Sequence, residues 1–284
     1  MKILRQIIAE IKQTDSEDTD QLQDLILRYI CYAPKMPLRN FQENLLDRAE
    51  KTTLKVHDEF FSGKELSFQA FKWGKGSRKI LLAHGWGSKA GDLYEIITSL
   101  EQISDIEIVA FDAPGNGASE GELSSLLLFM EAVKAMLRQY GIPEVTIGHS
   151  LGAMANILAM EQLNIHPRQM ISIAPLIDLG KNFEASMDAL DIPKSIQQTF
   201  FERFEQRFRK PVSHYNLMDC SISGTELTEH WLAYDAHDLV SPYAFLKIFL
   251  ASNPAIDASD YPGAGHERII KSSMMIQDML KILA

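Results

Sequence analysis

The sequence is poor in cysteine and in long apolar runs, and each shortage excludes a class of protein. Only two cysteines occur among its 284 residues. Cys31 and Cys220 stand far apart in unlike contexts, so we predict two free thiols and not a disulfide-stapled secreted domain. No apolar stretch reaches the length of about 18 residues that a membrane-spanning helix needs.

An excess of positive charge is also missing, because the net charge is −10 at pH 7. A negative chain is a poor partner for nucleic acids and for anionic membranes. The first residues, MKILRQIIAEIKQ, interrupt their apolar positions with Arg5, Glu10 and Lys12, unlike the apolar core of a secretory signal peptide. We therefore expect a cytoplasmic protein that has no membrane span and binds no nucleic acid.

Cofactor motifs are missing as well. The phosphate-binding string G-x-x-x-x-G-K-[ST] does not occur, and the Gly115/Gly117 pair does not open a helix as a dinucleotide-binding turn would. His230 and His237 have no further Cys or His nearby that would complete a metal site. We predict that the protein uses neither a metal nor an organic cofactor.

The sequence does contain short apolar runs that alternate with helical patterns. Five such runs are KILLAHGW, IEIVAFDAP, EVTIGHS, QMISIAP and HWLAYDAHD. This alternation predicts a mainly parallel sheet with helices on both faces, and TLKVHDEFF with ELSFQAFKW predicts an antiparallel hairpin before it. Ligands bind beyond the carboxyl ends of such strands. Polar residues at those ends are His84, Asp112, Ser150, Asp178 and Asp238.

The segment 1–50 precedes this pattern and carries two amphipathic helical repeats. Their apolar positions are Leu4, Ile7, Ile8 and Ile11, followed by Leu22, Leu25, Ile26 and Tyr29. We predict a helical extension that packs one apolar stripe on the main body. A homodimer surface and a flap over the functional site are the two alternatives.

A second segment, 178–229, separates two predicted strands by more residues than one crossover usually needs. We predict a helical cap insertion here, which leaves 51–177 and 230–284 as the core domain. The phenylalanines of QQTFFERFEQRFRK are predicted to pack against the body. The same side chains can also form the apolar wall of an acyl pocket.

The string Gly148-His149-Ser150-Leu151-Gly152 is the strongest chemical motif. A G-x-S-x-G match is weak alone, but here a strand pattern, EVTI, precedes it and a helix pattern, LGAMANILAMEQL, follows it. A strand–turn–helix elbow exposes a serine nucleophile, and its flanking glycines let backbones approach closely. Serine also needs a base and a group that orients the base. The context predicts Ser150 as a nucleophile.

Five blocks together resemble the successive signatures of the α/β-hydrolase superfamily. They are LLAHGWGS, VAFDAPGNGAS, IGHSLGA, AYDAHDLVSP and PGAGHERII, and the resemblance covers about 50–284. They are most similar to capped serine hydrolases of the esterase and lysophospholipase-like type. The resemblance implies an α/β-hydrolase fold with a mainly parallel eight-stranded sheet flanked by helices.

The resemblance also implies a catalytic triad in the order nucleophile, acid, histidine. Ser150 matches the nucleophile, Asp238 the acid and His266 the base, and no other histidine lies C-terminal to Asp238. His266 would take the proton from Ser150 and return it to the leaving group, while Asp238 fixes the imidazole tautomer. Asp178 and Asp235 remain alternatives for the acid.

Further roles follow from the same resemblance. The backbone N–H groups of Trp86 and Leu151 would form the oxyanion hole. His84, beside Gly85, would be a structural residue bonded to nearby backbone, and His149 would lie on the pocket floor and not act as a base.

Another block of the resemblance, DAPGNGASEG, has Asn116 where many family members have histidine. We expect this change to affect a structural loop more than the chemistry, with Asp112 accepting hydrogen bonds in the turn. A serine at the nucleophile position counts against the superfamily's epoxide hydrolases and haloalkane dehalogenases.

We predict a metal-free serine hydrolase that cleaves a small-to-medium carboxylic ester through an acyl-Ser150 intermediate. Thioesters, amides and acyl transfer to another alcohol would use the same site. Two interpretations from other classes are a ligand-binding protein with negligible turnover and an interaction protein that uses its N-terminal helices as a contact surface.

Overall fold

A computed structural model describes residues 2–14, 19–220 and 227–284. Within these ranges the strands form one eight-stranded sheet in the order β1-β2-β4-β3-β5-β6-β7-β8. The strands are β1 Glu50–Asp58, β2 Lys64–Gly74, β3 Arg78–Ala83, β4 Ile106–Phe111, β5 Val145–His149, β6 Gln169–Ile173, β7 Glu229–Tyr234 and β8 Asp257–Asp260. The β1–β2 and β2–β4 pairs are antiparallel and the other pairs are parallel.

The predicted mainly parallel sheet, with its antiparallel hairpin, is therefore confirmed. Strands β5 and β6 are buried along their whole length, as expected where helices cover both faces of a sheet. Strand β8 differs, because its sequence DASD is polar and three of its four residues are exposed at the sheet edge. It has no apolar run, so the sequence pattern did not locate it.

Helices cover both faces of the sheet. They are α1 Lys2–Gln13, α2 Thr19–Cys31, α3 Asn40–Asp47, α4 Tyr94–Leu100, α5 Leu126–Tyr140, α6 Leu151–Leu163, α7 Leu179–Asp188, α8 Lys194–Phe208, α9 Tyr243–Ser252 and α10 Ser273–Leu283. Neighbouring strand residues point to opposite faces. Leu81 therefore packs in the core under α1, α2 and α5 to α9, whereas Ile80 and Leu82 pack in the core under α3, α4 and α10. The sequence pattern did not indicate α3, whose eight residues are too few to show a helical period.

The N-terminal helices and the predicted cap lie on the same face of the sheet. Helices α1 and α2 bury Ile7, Ile11 and Ile26 in the core that also holds α7 and α8. The side-chain amide of Gln23 on α2 donates to the carbonyl of Ile196 on α8, at 3.0 Å. The predicted cap, 178–229, contains α7 and α8, and its residues 221–226 lie outside the described ranges. The division into extension, core and cap remains a prediction.

The turn between β5 and α6 has an unusual backbone. Ser150 has φ 52° and ψ −121°, in the left-handed half of conformational space. A Cβ atom at Gly152 would lie 2.3 Å from the carbonyl oxygen of His84, and one at Gly148 would lie 2.4 Å from the Cα of Ala153. Only glycine fits at these two positions. The packing around the turn thus holds Ser150 in a conformation that costs about 1–3 kcal/mol.

This strain predicts that Ser150→Gly is more stable than Ser150→Ala. Both variants lose the hydroxyl, but glycine accepts a positive φ without strain, and its larger entropy loss on folding offsets only part of the gain. We expect a difference of about 1 kcal/mol in the free energy of unfolding, measured by urea denaturation. At Ser186, inside α7, the order should reverse because alanine is the better helix former. Equal stability of the two Ser150 variants would contradict the strain.

A buried histidine on β7 should make the stability depend on pH. The Nε2 of His230 lies 2.9 Å from the Oγ of Ser172, and burial lowers the pKa of His230 to about 4. In the unfolded chain this pKa is about 6.5. Between these values the unfolded state binds more protons than the folded state, so the stability is complete above about pH 6.5 and falls as the pH drops towards 4.

His230→Asn should therefore reduce the pH dependence of stability between pH 4 and 6.5 by up to about 1.4 kcal/mol per pH unit. The measurement is urea unfolding at several pH values. His57→Asn is the matched control, because His57 is exposed on β1. An unchanged slope in His230→Asn would mean that the fold does not hold this imidazole neutral.

Candidate active site

Three of the predicted site residues form a chain of hydrogen bonds. The Oγ of Ser150 lies 2.9 Å from Nε2 of His266, and Nδ1 of His266 lies 2.6 Å from Oδ2 of Asp238. Ser150 follows β5, Asp238 follows β7 and His266 follows β8, so the carboxyl ends of parallel strands bring them to one edge of the sheet. With its Nδ1–H donated to Asp238, His266 has Nε2 free to accept the hydroxyl proton of Ser150.

Asp238 is set up to remain ionised. Its Oδ1 accepts the backbone N–H groups of Val240 at 2.7 Å and Ser241 at 3.1 Å. Burial acts to raise the pKa of Asp238, but the hydrogen bond and charge of His266, with these two N–H groups, outweigh it and hold the pKa below its usual value. A permanent negative charge therefore faces Nδ1 of His266, where it stabilises an imidazolium.

The two alternative acids are engaged elsewhere. Asp235 accepts the N–H of the residue two positions on, at 2.9 Å, and the N–H of Gly265, at 2.7 Å, and so ties down the loop that carries His266. Asp178 is the N-cap of α7. Of the three carboxylates, the structure brings Asp238 into contact with the imidazole.

Two backbone N–H groups beside Ser150 have no acceptor in the described parts of the chain. Leu151 is the first residue of α6, so its N–H has no intrahelical partner and lies at the positive end of the helix dipole. No hydrogen bond is found for the N–H of Trp86 either. A Cβ atom at Gly85 would lie 3.3 Å from the Cβ of Ser150, so the turn before Trp86 passes directly beside the serine. The geometry suits a developing oxyanion at this point.

Asn116 holds the turn that carries Trp86. Its buried side chain accepts the N–H of Gly87 through Oδ1 at 3.1 Å, and its Nδ2 donates to Oγ of Ser124 and the carbonyl of Pro114, each at 3.1 Å. The sequence indicated only a loop role for this position. Through its contact with Gly87, Asn116 supports the residue next to Trp86, a candidate oxyanion donor. The sequence feature that could have indicated this role is the asparagine that replaces histidine in DAPGNGAS.

His84 and Asp112 fasten the surrounding loops. Nε2 of His84 accepts the N–H of Ala113 at 2.9 Å, and its Nδ1 donates to the carbonyl of the next residue at 2.7 Å. Burial lowers the pKa of His84, which keeps the ring neutral. Asp112 accepts the N–H groups of Ala90 at 2.7 Å and Ala118 at 2.9 Å. Both side chains thus bind backbone groups.

The imidazole of His149 is buried near Ser150 but forms no hydrogen bond with the serine side chain. Its Nε2 lies 2.9 Å from the carbonyl oxygen of His266, so this nitrogen carries the proton and donates it. Burial, followed by the charge of His266, lowers the pKa of His149 to about 4. A neutral ring with this contact supports the loop of His266 and lines the cavity next to the serine, as predicted for a floor residue.

A cavity of about 820 Å³ contains both Ser150 and His266 in its lining. This volume is in the range of small-molecule sites. Its apolar part includes Tyr29, Leu126, Leu176, Leu179, Phe183, Phe204 and Phe208. Its polar part includes Arg39, Gln42, Ser88, Lys89, Asp92, Glu267 and Lys271. The predicted phenylalanine stripe therefore packs on the body and faces the cavity as well.

The aromatic stripe is packed as a unit. The rings of Phe204 and Phe208 stack with centroids 4.3 Å apart, and Phe183 meets Phe204 edge-on at 5.8 Å.

The N-terminal helices also contribute to the cavity lining. From the sequence, a flap over the site is only an alternative to packing on the main body. Tyr29 of α2 and the residues that follow it reach the cavity.

Neither a metal-binding cluster nor a membrane-spanning helix occurs in the described residues. In the ranges 2–14, 19–220 and 227–284, His, Cys, Asp and Glu side chains form no group of three or more that could hold a metal ion. In the same part of the chain, every helix is too short or too polar to cross a bilayer.

Comparison with known sequences identifies relatives for part of the chain. A family model described as "Serine aminopeptidase, S33" matches residues 74–253, which is more than half of the chain. Monoglyceride lipase of Rattus norvegicus is 35% identical over 106 residues, and that of Homo sapiens is 32% identical over the same length. Each alignment spans 34% of this chain and 35% of the lipase, so the match covers about a third of these relatives.

Comparison with solved structures shows the fold. The Pyrococcus furiosus esterase Pf2001 is 19% identical with a TM-score of 0.59, over 89% of this chain and 96% of that chain. The mouse alpha/beta hydrolase domain-containing protein 10 is 17% identical with a TM-score of 0.59, over 82% of this chain and 100% of that chain. The resemblance seen in the sequence is thereby confirmed, and the chain belongs to the serine aminopeptidase S33 family and has the α/β-hydrolase fold.

Proposed function

We propose that the protein is a serine hydrolase that cleaves a carboxylic ester with one apolar acyl chain and a polar alcohol. The observation that carries the proposal is the hydrogen-bond chain from Ser150 through His266 to Asp238. Serine is a poor nucleophile alone, and this chain supplies both the base and the group that orients it. Its position in the lining of an 820 Å³ cavity gives a substrate access to the hydroxyl.

The proposed reaction has two halves. As Oγ of Ser150 attacks the ester carbonyl carbon, Nε2 of His266 takes the hydroxyl proton, and the oxyanion accepts hydrogen bonds from the N–H groups of Leu151 and Trp86. His266 then gives the proton to the departing alcohol, which leaves an acyl-Ser150 ester. In the second half the same imidazole takes a proton from a water molecule, whose oxygen attacks the acyl carbonyl carbon; the bond from that carbon to Oγ of Ser150 then breaks, His266 returns the proton to Oγ, and the carboxylic acid leaves. Asp238 stays ionised and stabilises the imidazolium throughout.

The division of the cavity supports an amphiphilic ester as substrate. In the polar part, Asp92 accepts hydrogen bonds from Gln42 at 2.7 Å, Ser88 at 2.9 Å and Lys89 at 3.4 Å, so these groups form one cluster. The phenylalanines of the cap form a separate apolar cluster. An acyl chain fits the second cluster and a hydroxyl-bearing alcohol fits the first. With the partial likeness to monoglyceride lipases, this favours a monoacylglycerol as the substrate class.

A peptide with a free amino terminus, which the family's description suggests, fits this cavity less well. A cationic amine is bound best by a buried, unoccupied carboxylate; of the two carboxylates in the lining, Asp92 already has three partners and Glu267 is exposed to solvent. Burial raises the pKa of Asp92, but Lys89, Ser88 and Gln42 outweigh it and leave the pKa below its usual value. The charge of Asp92 is thus balanced inside the cluster. We propose ester cleavage over aminopeptidase activity on this ground.

Wild-type protein should hydrolyse p-nitrophenyl esters and a monoacylglycerol, and Ser150→Ala should reduce kcat by at least about 10⁴-fold, because no other group can form the acyl intermediate. Aminoacyl p-nitroanilides should be poor substrates. A fluorophosphonate probe should label wild type at Ser150, with the site located by peptide mass spectrometry. If wild type and Ser150→Ala were equally inactive while both bound fatty acids, the protein would be a ligand-binding member of the fold.

Replacement of the acid should separate two of the carboxylate candidates, Asp238 and Asp178. Asp238→Asn should lower kcat by about 10⁴-fold with little change in KM, because the imidazole loses its tautomer and its counter-charge. Asp178→Asn is the matched control, since that side chain caps α7 and should leave kcat within about twofold of wild type. Steady-state kinetics on one p-nitrophenyl ester measures both. A loss in Asp178→Asn as large as in Asp238→Asn would remove Asp238 from the proposed role.

A further inference from the structure

Part of the cavity wall comes from residues outside the region that the family model matches. The match covers residues 74–253, whereas the lining includes Leu4 of α1 together with Tyr29 and Ile30 of α2. We call these three side chains the N-terminal wall. Because they precede the matched region, no general property of the family assigns them a role.

The N-terminal wall is joined to the cap. Tyr29 is half-buried, and its hydroxyl donates to the carbonyl of Ser186 on α7 at 3.5 Å. Burial raises the pKa of Tyr29, which keeps the hydroxyl protonated as a donor. On the same helix, Asp20 forms an ion pair with Arg203 of α8. Helix α2 therefore contacts both cap helices, and its residues Tyr29 and Ile30 line the cavity.

Residues that flank the N-terminal wall in the sequence also form an ion pair and a hydrogen bond with the segment that precedes α5. Arg28 pairs with Glu122 at 2.7 Å, and the N–H of Ser124 donates to the carbonyl of Cys31 at 2.8 Å. Ser124 lies just before α5, whose first residue, Leu126, lines the cavity. These bonds hold α2 at a fixed position between the cap and the start of α5, so its cavity-facing side chains have a defined place.

Helix α1 completes the wall. Its residues Ile7 and Ile11 are buried in the main core, whereas Leu4, one turn earlier on the same apolar stripe, is half-buried and lines the cavity. Ile8, also half-buried on α1, is not among the lining residues. The apolar stripe of α1 thus ends at the cavity, whose lining also includes three phenylalanines of the predicted cap.

We propose that the N-terminal wall closes the acyl-binding end of the cavity and sets the acyl chain length that the protein accepts. This inference rests on the proposed ester hydrolase function. Each methylene group that enters an apolar site improves binding roughly fourfold, and a chain that meets the wall gains nothing from further methylenes. The wall side chains thereby act as specificity-determining residues, at a distance from the proton-transfer groups.

The test compares kcat/KM for p-nitrophenyl esters from acetyl to palmitoyl. Leu4→Trp fills the end of the site and should lower the ratio of kcat/KM for the longest chains to kcat/KM for the acetyl ester by about tenfold or more. Tyr29→Ala opens the same end and should move the optimum to longer chains. Ile8→Trp and Leu27→Ala are the matched controls on the same helices, at positions outside the cavity lining.

The inference is overturned if the chain-length profiles of Leu4→Trp and Tyr29→Ala match those of wild type and of the two controls. If wild type cleaves no ester at all, the proposed function fails, and the wall is tested separately by binding. Fatty acids of rising length are then titrated into Ser150→Ala with and without Leu4→Trp. A cut-off that moves to shorter chains with Leu4→Trp supports the wall, and an unmoved cut-off overturns it.

Discussion

The close approach of three backbone segments around Ser150 is the constraint on which the rest of the site depends. The carbonyl of His84 lies where a Cβ of residue 152 would be, and the start of α6 lies where a Cβ of residue 148 would be. Strand β3, strand β5 and helix α6 can meet only because both positions are glycine. In the same turn the serine hydroxyl meets the imidazole of His266, and the first N–H of α6 has no intrahelical partner.

Around this contact the protein uses buried polar side chains to fix loops, and few of them take part in the proposed chemistry. Asp112, Asn116 and Asp235 each bind backbone N–H groups of a loop that carries a site residue. Buried polar groups are costly unless they are paired, so such networks favour one loop arrangement over all others. These buried side chains, through the loops that they hold, thus determine the positions of the site residues. In the proposed reaction a proton moves between Ser150 and His266, while Asp238 stays ionised.

The elements nearest the site could be predicted from the sequence, since each has a strong local signal. Strands β3 to β7 are continuous apolar runs, and the Ser150, Asp238 and His266 contacts follow from the strand ends and the resemblance. Strand β8 and helix α3 gave no signal, because one is polar at a sheet edge and the other spans about two turns. The sequence also did not predict that residues of α1 and α2 line the cavity. An amphipathic stripe shows that a helix packs, but not which end of it faces an opening.

The cavity draws its walls from both ends of the chain. Leu4 lies near the start of the sequence and His266 near its end, and the sheet between them contains several parallel pairings that form only after long intervening segments are made. During synthesis helices α1 and α2 emerge before the core and the cap, and their apolar stripes stay uncovered until both are complete. Ser150 likewise leaves the ribosome 116 residues before His266, so the hydrogen bond between them cannot form until the segments that separate them have been made.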